Sequence, residues 1–528
     1  MTEDEIISIG DAVRFHAQEQ PEAVVFTFED DEMTYAALHA GSNRAAQALA
    51  SKGVGKGDRI AYLGKNSHLY FEILAGAAKL GAVMVPVNWR LAPPEVAYIL
   101  NDCQAKILFV GPGFDDLMPK IMDSLDHVTQ IFGSEKTEGD FPAYPSWRDE
   151  FDAVDPLVPC AEEDDALQLY TSGTTGHPKG AIMTSGSIFS SRSAGVTDDD
   201  LMDWQKPIPG EITLLAMPCF HISGTGTGLG VMFSGGSAIV LPEYDPTEAL
   251  DLIERYNISK IFMVPAAIQI LLNHPRANQV DFSNLKYITY GASPIPLELM
   301  KQAMDVLGCG FVQMYGMTET SGTITTLNPE DHDVNGNEKM RSVGTPLPGV
   351  EIKIIDPESG ETLPPRTIGE IATRSAKNMK GYWNRAEATA ETIDGDSWLH
   401  TGDAGYLDED GYLYIQDRLK DMIISGGENV YPAEVENAIY ANPKVADVAV
   451  IGVPDEKWGE AVKACVVVKA GQQLTEADLI ADARERIAGF KCPKSVDFIE
   501  ALPRNPSGKI LRKDLRAPYW EGKDRAVN

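Results

Sequence analysis

The chain has 528 residues, 43% of them hydrophobic, which points to a folded protein of at least two domains and excludes a disordered one. Its 45 basic and 78 acidic residues leave a formal net charge of −33. So acidic a surface argues against nucleic acid or an anionic membrane as the main partner, and any anionic ligand must be met by a local cluster of Lys and Arg.

The first elements alternate helical and strand patterns. Tyr35 to Lys52 has helical spacing, Arg59 to Leu63 reads as a strand, Tyr70 to Leu80 as a helix, and Ala82 to Val87 and Ala105 to Val110 as strands. This rhythm predicts a mostly parallel sheet with helices on its faces. It returns at Glu211 to Val240, Ile258 to Tyr290 and Phe311 to Tyr315, which suggests two related α/β halves without a direct sequence repeat. Strands at Val350 to Ile355, Gly369 to Arg374 and Tyr412 to Gln416 lie closer together and predict a small antiparallel or barrel-like subdomain. Beyond Asp417-Arg-Leu-Lys-Asp421 the pattern becomes compact α+β. A helix is expected near Pro432 to Ala441, strands near Val448 to Val453 and Val462 to Lys469, and a helix from Glu476 to Ala488. Pro432 suits a first helical turn, and Thr475-x-x-Asp478 resembles a capping box. The fold class is therefore α/β: a large N-terminal domain, residues 1–419, of α/β sheets with the small barrel-like subdomain, and a small α+β C-terminal domain, residues 420–528.

The cysteines Cys103, Cys160, Cys219, Cys309, Cys465 and Cys492 form no C-x-x-C pair or zinc pattern and read as reduced thiols of a cytoplasmic protein. The acidic start Met-Thr-Glu-Asp-Glu lacks the regions of a signal peptide, and Ala526-Val-Asn528 is no peroxisomal address. The longest apolar stretch, Gly228 to Leu241, is broken by glycines and too short to span a bilayer.

Chemistry concentrates first at Tyr170-Thr-Ser-Gly-Thr-Thr-Gly-His-Pro-Lys-Gly180. An apolar strand, Ala166 to Tyr170, opens into a loop of hydroxyl residues and glycines that ends in a lysine. Such a loop can turn backbone N–H groups and hydroxyls on an anion, with glycine permitting close approach. It is not the G-x-x-x-x-G-K-[ST] loop, which is absent. Further segments follow: Gly291-Ala-Ser293 after the strand Tyr287 to Tyr290, Gln313-Met-Tyr-Gly-Met-Thr-Glu319, Thr401-Gly-Asp403 in a turn context, Asp417-Arg418, Ser425-Gly-Gly-Glu-Asn429, and Pro503-Arg-Asn-Pro-Ser-Gly-Lys-Ile510.

In this order the segments resemble the adenylate-forming (AMP-binding) superfamily of acyl- and aryl-CoA synthetases, peptide-synthetase adenylation domains and firefly luciferase. The resemblance covers nearly the whole chain. It is nearest to fatty-acyl and aryl-acid CoA ligases, through the run from Asp417 to Pro432. It implies two half-reactions: a carboxylate attacks the α-phosphate of ATP to give acyl-AMP and pyrophosphate, and the thiol of CoA then attacks the acyl carbon and releases AMP. Two anions must meet, so charge screening and positioning are what the residues have to supply.

Carried over by position, Thr171, Ser172, Gly173, Thr174, Thr175, Gly176 and Lys179 would cradle the β- and γ-phosphates. Gly291, Ala292 and Ser293 would line the adenine. Gln313, Met314, Tyr315 and Gly316 would wrap adenine and α-phosphate, with the Thr318 hydroxyl donating to phosphate. Glu319 would hold Mg²⁺ as a hard oxygen ligand. Asp403 would accept the ribose hydroxyls, supported by Arg418. Lys509, on a mobile C-terminal domain, would lie between carboxylate and α-phosphate in the first half-reaction and withdraw in the second. Lys420 matches the hinge, and Gly426 and Gly427 would then leave a pantetheine tunnel.

His221, in Pro218-Cys-Phe-His-Ile, matches an aromatic–His pair that gates the carboxylate pocket. Gly224, Gly226, Gly228 and Gly230 alternate after it, either for close packing or for an uncrowded acyl channel. Trp458 and Phe490 stand where relatives contact CoA, and core packing would explain them equally. Cys492 replaces a frequent basic residue, so the CoA 3′-phosphate would fall to Lys491 or Lys494, or go without that contact. The implied substrate is a medium- or long-chain fatty acid or a bulky aryl acid, in lipid metabolism, with ATP, Mg²⁺ and CoA, no nucleic acid and no integral membrane segment. Relatives are often dimers, so a homodimer is the implied assembly. Two alternatives stay beside this reading: an adenylation enzyme that loads a carrier protein, and a luciferase-like oxygenase. His221 stands where amino-acid adenylation domains usually place a carboxylate, and no carrier segment follows Asn528, which weigh against the first; nothing positive favours the second.

Overall fold

The computed structural model describes residues 5–135, 141–171, 177–189, 201–206, 210–293, 295–425, 428–455, 457–504 and 510–521. The predicted β-α rhythm builds two large mixed sheets. One has seven strands, in the order Gly381–Tyr382, Lys179–Thr184, Asp165–Thr171, Val83–Val87, Arg59–Leu63, Ile107–Val110 and Gln130–Gly133. The last five run parallel; the first two pair antiparallel. Arg59–Leu63 is buried at every position, as a strand covered on both faces must be.

The second sheet has nine strands. Six run parallel at its centre, Gly310–Met317, Tyr287–Gly291, Lys260–Met263, Ile212–Leu215, Ser237–Val240 and Val24–Phe28. Val24–Phe28 comes from the start of the chain, so the two α/β halves are interleaved rather than consecutive. The helices Tyr35–Ser51 and His68–Lys79 follow it, capped by Thr34, whose hydroxyl accepts from Ala37 N at 3.1 Å, and by Ser67. Their apolar side chains enter a core that also takes Ile60 and Met84 from the first sheet and Phe26 and Leu215 from the second. Phe26 and Phe71 stack there at 4.6 Å.

The small subdomain is a four-stranded antiparallel sheet, Glu351–Ile355, Gly369–Arg374, Leu399–Leu407 and Leu413–Arg418 in that order. Its two outer strands are not paired with each other. Here one expectation is corrected: Thr401-Gly-Asp403 lies inside the strand Leu399–Leu407, not in a turn. Gly402 takes φ 68°, a kink that only glycine accepts easily, so a turn-like tripeptide is a bend within a strand.

The C-terminal sheet runs Glu428–Val430, Ile423–Ser425, Gly459–Val468 and Val445–Asp455, with Ser495–Phe498 parallel to Gly459–Val468. Helices Pro432–Tyr440 and Glu476–Arg484 bury Val435, Ile439 and Leu479 against it. The second helix stops four residues short of the expected Ala488. At its start Thr475 Oγ1 accepts from Asp478 N at 3.2 Å and donates to Asp478 Oδ2 at 2.7 Å, because the aspartate takes the hydroxyl proton instead of reaching back to the cap N–H.

Charge is concentrated at the junction of the two parts. Asp417 Oδ2 accepts from Ala433 N at 3.0 Å. Arg512 reaches Glu436 at 2.8 Å, Asp417 at 3.7 Å and Asp421 at 3.9 Å, and Arg516 reaches Asp421 at 3.0 Å. Burial pushes the Asp417 carboxyl up to about 6.

Candidate functional site

Glu319 gathers the first group of side chains. It lies in a single 3₁₀ turn, Thr318–Thr320, that ends the strand Gly310–Met317, and it is 6% exposed. Its Oε1 accepts from Tyr382 OH at 2.8 Å and from Thr171 Oγ1 at 3.4 Å. Thr171 ends one strand and Lys179 begins the antiparallel strand paired with it, Thr171 opposite Lys179. The Lys179 ammonium sits 4.8 Å from the centre of the Tyr382 ring. One end of the predicted anion loop therefore meets Glu319 directly, and the other meets Tyr382, which bonds Glu319. No group of three or more possible metal ligands occurs among the described residues. A Mg²⁺ held mainly by phosphate oxygens needs only one or two carboxylates, and Glu319 Oε2 has no hydrogen-bond donor among the described residues, so the donor set fits that ion.

Asp403 gathers the second group. It is 5% exposed and stands directly across the ladder from Arg418. Arg418 Nε donates to Oδ1 at 2.8 Å, and Tyr315 OH donates to Oδ2 at 2.7 Å. Asp403 strengthens the Arg418 charge, and burial followed by the Asp403 charge holds the Tyr315 phenol protonated. The carboxylate is thus oriented at both oxygens while keeping lone pairs for a diol.

Between these groups the strands Tyr287–Gly291 and Gly310–Met317 run side by side, Gly291 opposite Met314. Ala292 follows with φ 67°, a backbone conformation uncommon outside glycine, and turns the chain away at Ser293. Gln313 is buried beside Tyr290, and Gly316 lies in the same strand near its end.

His221 precedes the helix Ile222–Ser234. Its ring lies 4.6 Å from Phe220, which in turn meets Trp89 at 6.2 Å. Burial, with Arg90 adding, lowers its pKa to about 4, so the imidazole is neutral. Its buried Nε2 has no hydrogen-bond partner among the described residues. A buried polar nitrogen left open is a feature of a binding site more than of a packed core.

Ser172, Gly173, Thr174, Thr175, Gly176, Gly426, Gly427 and Lys509 lie outside the described residues, as does the side chain of Lys420. Trp458 is 40% and Phe490 43% exposed, so core packing explains neither. Each ring instead carries a lysine, Lys457 at 4.5 Å and Lys491 at 5.7 Å. Cys492 is buried in the C-terminal core, while Lys491 is held by Glu434 at 2.7 Å.

A family profile described as AMP-binding enzyme matches residues 13–383, and one described as AMP-binding enzyme C-terminal domain matches 434–509. The chain belongs to the AMP-binding enzyme family. Among relatives of this AMP-binding enzyme, the fatty acid–[acyl-carrier-protein] ligase ScoC of Streptomyces coeruleorubidus is 42% identical, over 97% of each chain. A feruloyl-CoA synthase of an Amycolatopsis species is 39% identical, over 95% of this chain and 97% of its own. Among solved structures, ATP-bound MatB of Rhodopseudomonas palustris aligns with a TM-score of 0.87 at 30% identity, covering 98% of this chain and 100% of its own. No helix among the described residues of this AMP-binding enzyme is long and apolar enough to cross a membrane.

Sequence reasoning missed Tyr382, which bonds Glu319 and stacks on Lys179. Its only sequence signal is an aromatic residue beside Gly381, far from every motif. It also missed Tyr290, which bonds Gln313, and His332, which bonds Tyr290.

Proposed function

We propose that this AMP-binding enzyme is an ATP-dependent acid–CoA ligase acting on a medium- or long-chain fatty acid or a bulky aryl acid. The observation that carries the reading is the pair of clusters that the strand Gly310–Met317 and the turn after it connect: Glu319 with Thr171, Tyr382 and Lys179, and Tyr315 with Asp403 and Arg418. One suits a polyphosphate and its metal, the other a ribose diol. Mg²⁺ bound through Glu319 would supply charge neutralisation on the phosphates.

In the first half-reaction an oxygen of the acid's carboxylate bonds to the α-phosphorus, and the bond to the bridging oxygen breaks as pyrophosphate leaves. Lys179 and the loop after Thr171 hold the leaving phosphates, the Thr318 hydroxyl donates to the α-phosphate, and Lys509 stabilises the charge that builds there. Asp403 and Arg418 hold the ribose. His221, kept neutral, closes the carboxylate end of the acid pocket without a charge. In the second half-reaction the residues 420–528 turn about Lys420 relative to 1–419. Lys509 withdraws, Gly426 and Gly427 open a path past Trp458, and the CoA sulfur, its proton lost, bonds to the acyl carbon as AMP leaves.

A carrier-protein phosphopantetheine is the second reading. It is favoured by the 42% identical relative named as a carrier-protein ligase and by the buried Cys492, which takes the place of a frequent basic residue. Pyrophosphate release across acids from acetate to long-chain and cinnamate-type acids tests the ligase reading; no acid-dependent release would overturn it. AMP formation with CoA against a holo-carrier protein decides between the two thiols.

A further inference from the structure

A largely buried row of polar groups ends at Gln313. Trp204 Nε1 donates to Asn328 Oδ1 at 3.0 Å, and the main-chain carbonyl of Asn328 lies 2.8 Å from His332 Nδ1. His332 Nε2 lies 3.0 Å from Tyr290 OH, which lies 3.2 Å from Gln313 Oε1. Tyr290 is 1%, Asn328 6% and Gln313 7% exposed, while His332 is half-buried.

The chemistry of each link dictates the next. A carbonyl only accepts, so His332 Nδ1 carries the hydrogen. Burial lowers the His332 pKa and keeps the ring neutral, which leaves Nε2 a bare acceptor. Tyr290 has one proton and two acceptors in reach. If it donated to Gln313, the half-buried His332 Nε2 would lose its donor among the described residues, which is unfavourable. If it donates to His332, its own oxygen can only accept, and the Gln313 amide turns its N–H toward the phenol. Both ends are then satisfied. Amide oxygen and nitrogen occupy the same shape, so half a turn of the group is all this needs.

We propose that His332, acting through Tyr290, is a positioning residue that turns the Gln313 amide so that its oxygen is offered to the 6-amino group of the adenine. The inference rests on the reading that Gln313 lines the nucleotide base. Gln313 lies opposite Tyr290 in the ladder, one residue before Gly291-Ala-Ser293, so the relay reaches the strand ends that carry the base-lining residues. With the relay intact the site accepts a hydrogen bond from adenine and rejects a 6-oxo purine, whose oxygen would face the Gln313 oxygen. Without it the amide rotates freely and serves either base.

The test is the ratio of kcat/KM for ATP over inosine triphosphate in acid-dependent pyrophosphate release. His332→Phe and Tyr290→Phe each should lower that ratio by about tenfold, mainly through KM, because a hydrogen-bonding mismatch is worth that much. His332→Gln, which still both donates and accepts, should restore much of it. The double variant His332→Phe/Tyr290→Phe should be no worse than either single one, since both break one relay. Binding of AMP against IMP by calorimetry gives the same comparison if catalysis is lost. Unchanged ratios in variants that still release pyrophosphate overturn the relay and leave the ligase reading standing. Absence of acid-dependent release in the parent enzyme overturns both.

Discussion

At the scale of single residues, Glu319 and Asp403 divide the work by how their oxygens are occupied. Glu319 spends Oε1 on Tyr382 and Thr171, whereas Asp403 has a donor on each oxygen. A carboxylate tied at one oxygen suits a metal, and one oriented at both suits a pair of hydroxyls. Tyr382→Phe removes the stronger of the two donors on Glu319. The Mg²⁺ concentration for half-maximal pyrophosphate release should then rise by about tenfold, as when an outer partner of a metal ligand is lost; an unchanged Mg²⁺ titration would refute this role. His221 carries a pH prediction. Its folded pKa, about 4, lies below the ordinary 6.5, so the unfolded chain takes up the proton first as pH falls. The neutral ring's contribution is complete above about pH 6.5 and is lost progressively toward pH 4. His221→Gln should flatten the fall in stability across that window in denaturant titrations at stepped pH; an identical slope counts against the buried, neutral ring. Glu319, Asp403, Arg418 and His221 were all legible in short motifs. Tyr382 and His332 were not, because a residue that acts by touching another is marked by contact and not by its neighbours in sequence.

At the scale of elements, the alternating glycines of the helix Ile222–Ser234 answer a question that their spacing left open. A Cβ on Gly228 would stand 2.2 Å from the Phe71 ring, and one on Gly224 2.3 Å from the Pro218 carbonyl oxygen. A Cβ on Gly230 would meet nothing within 4 Å, and one on Gly226 only Ile222 at 3.6 Å. Positions four apart share a helix face, so one pair packs and the other leaves room. Gly228→Ala should cost about 1–3 kcal/mol by overpacking, while Gly230→Ala should gain about 0.5–1 kcal/mol of helix propensity. Urea unfolding of the two variants checks this, and equal stabilities would contradict it. Strand and helix identities were legible because burial imposes a period of two or of 3.6. Thr401-Gly-Asp403 was not, since a kinked strand and a turn use the same residues.

At the scale of the molecule, the charged junction marks where the two parts meet. Arg512, from beyond the C-terminal sheet, reaches Asp417 across the boundary while it also pairs with Asp421 and Glu436 of its own part. Such pairs reorganise more readily than a packed apolar interface, which is compatible with the proposed turn about Lys420. Lys509→Ala should abolish acid-dependent pyrophosphate release yet leave the conversion of supplied acyl-AMP to thioester nearly intact; equal loss of both would reject the alternation about Lys420. The sequence by itself determined the α/β class and the membership of the AMP-binding family, because local periodicity and backbone-demanding loops are written in neighbouring residues. The tertiary structure alone decided that Val24–Phe28 joins the second sheet, that Trp458 and Phe490 stay exposed while Cys492 is buried, and that Tyr382 meets Glu319 and His332 meets Tyr290. Those facts depend on which surfaces meet after the chain has crossed hundreds of residues, and the free energy of that meeting is a property of contact, not of sequence order.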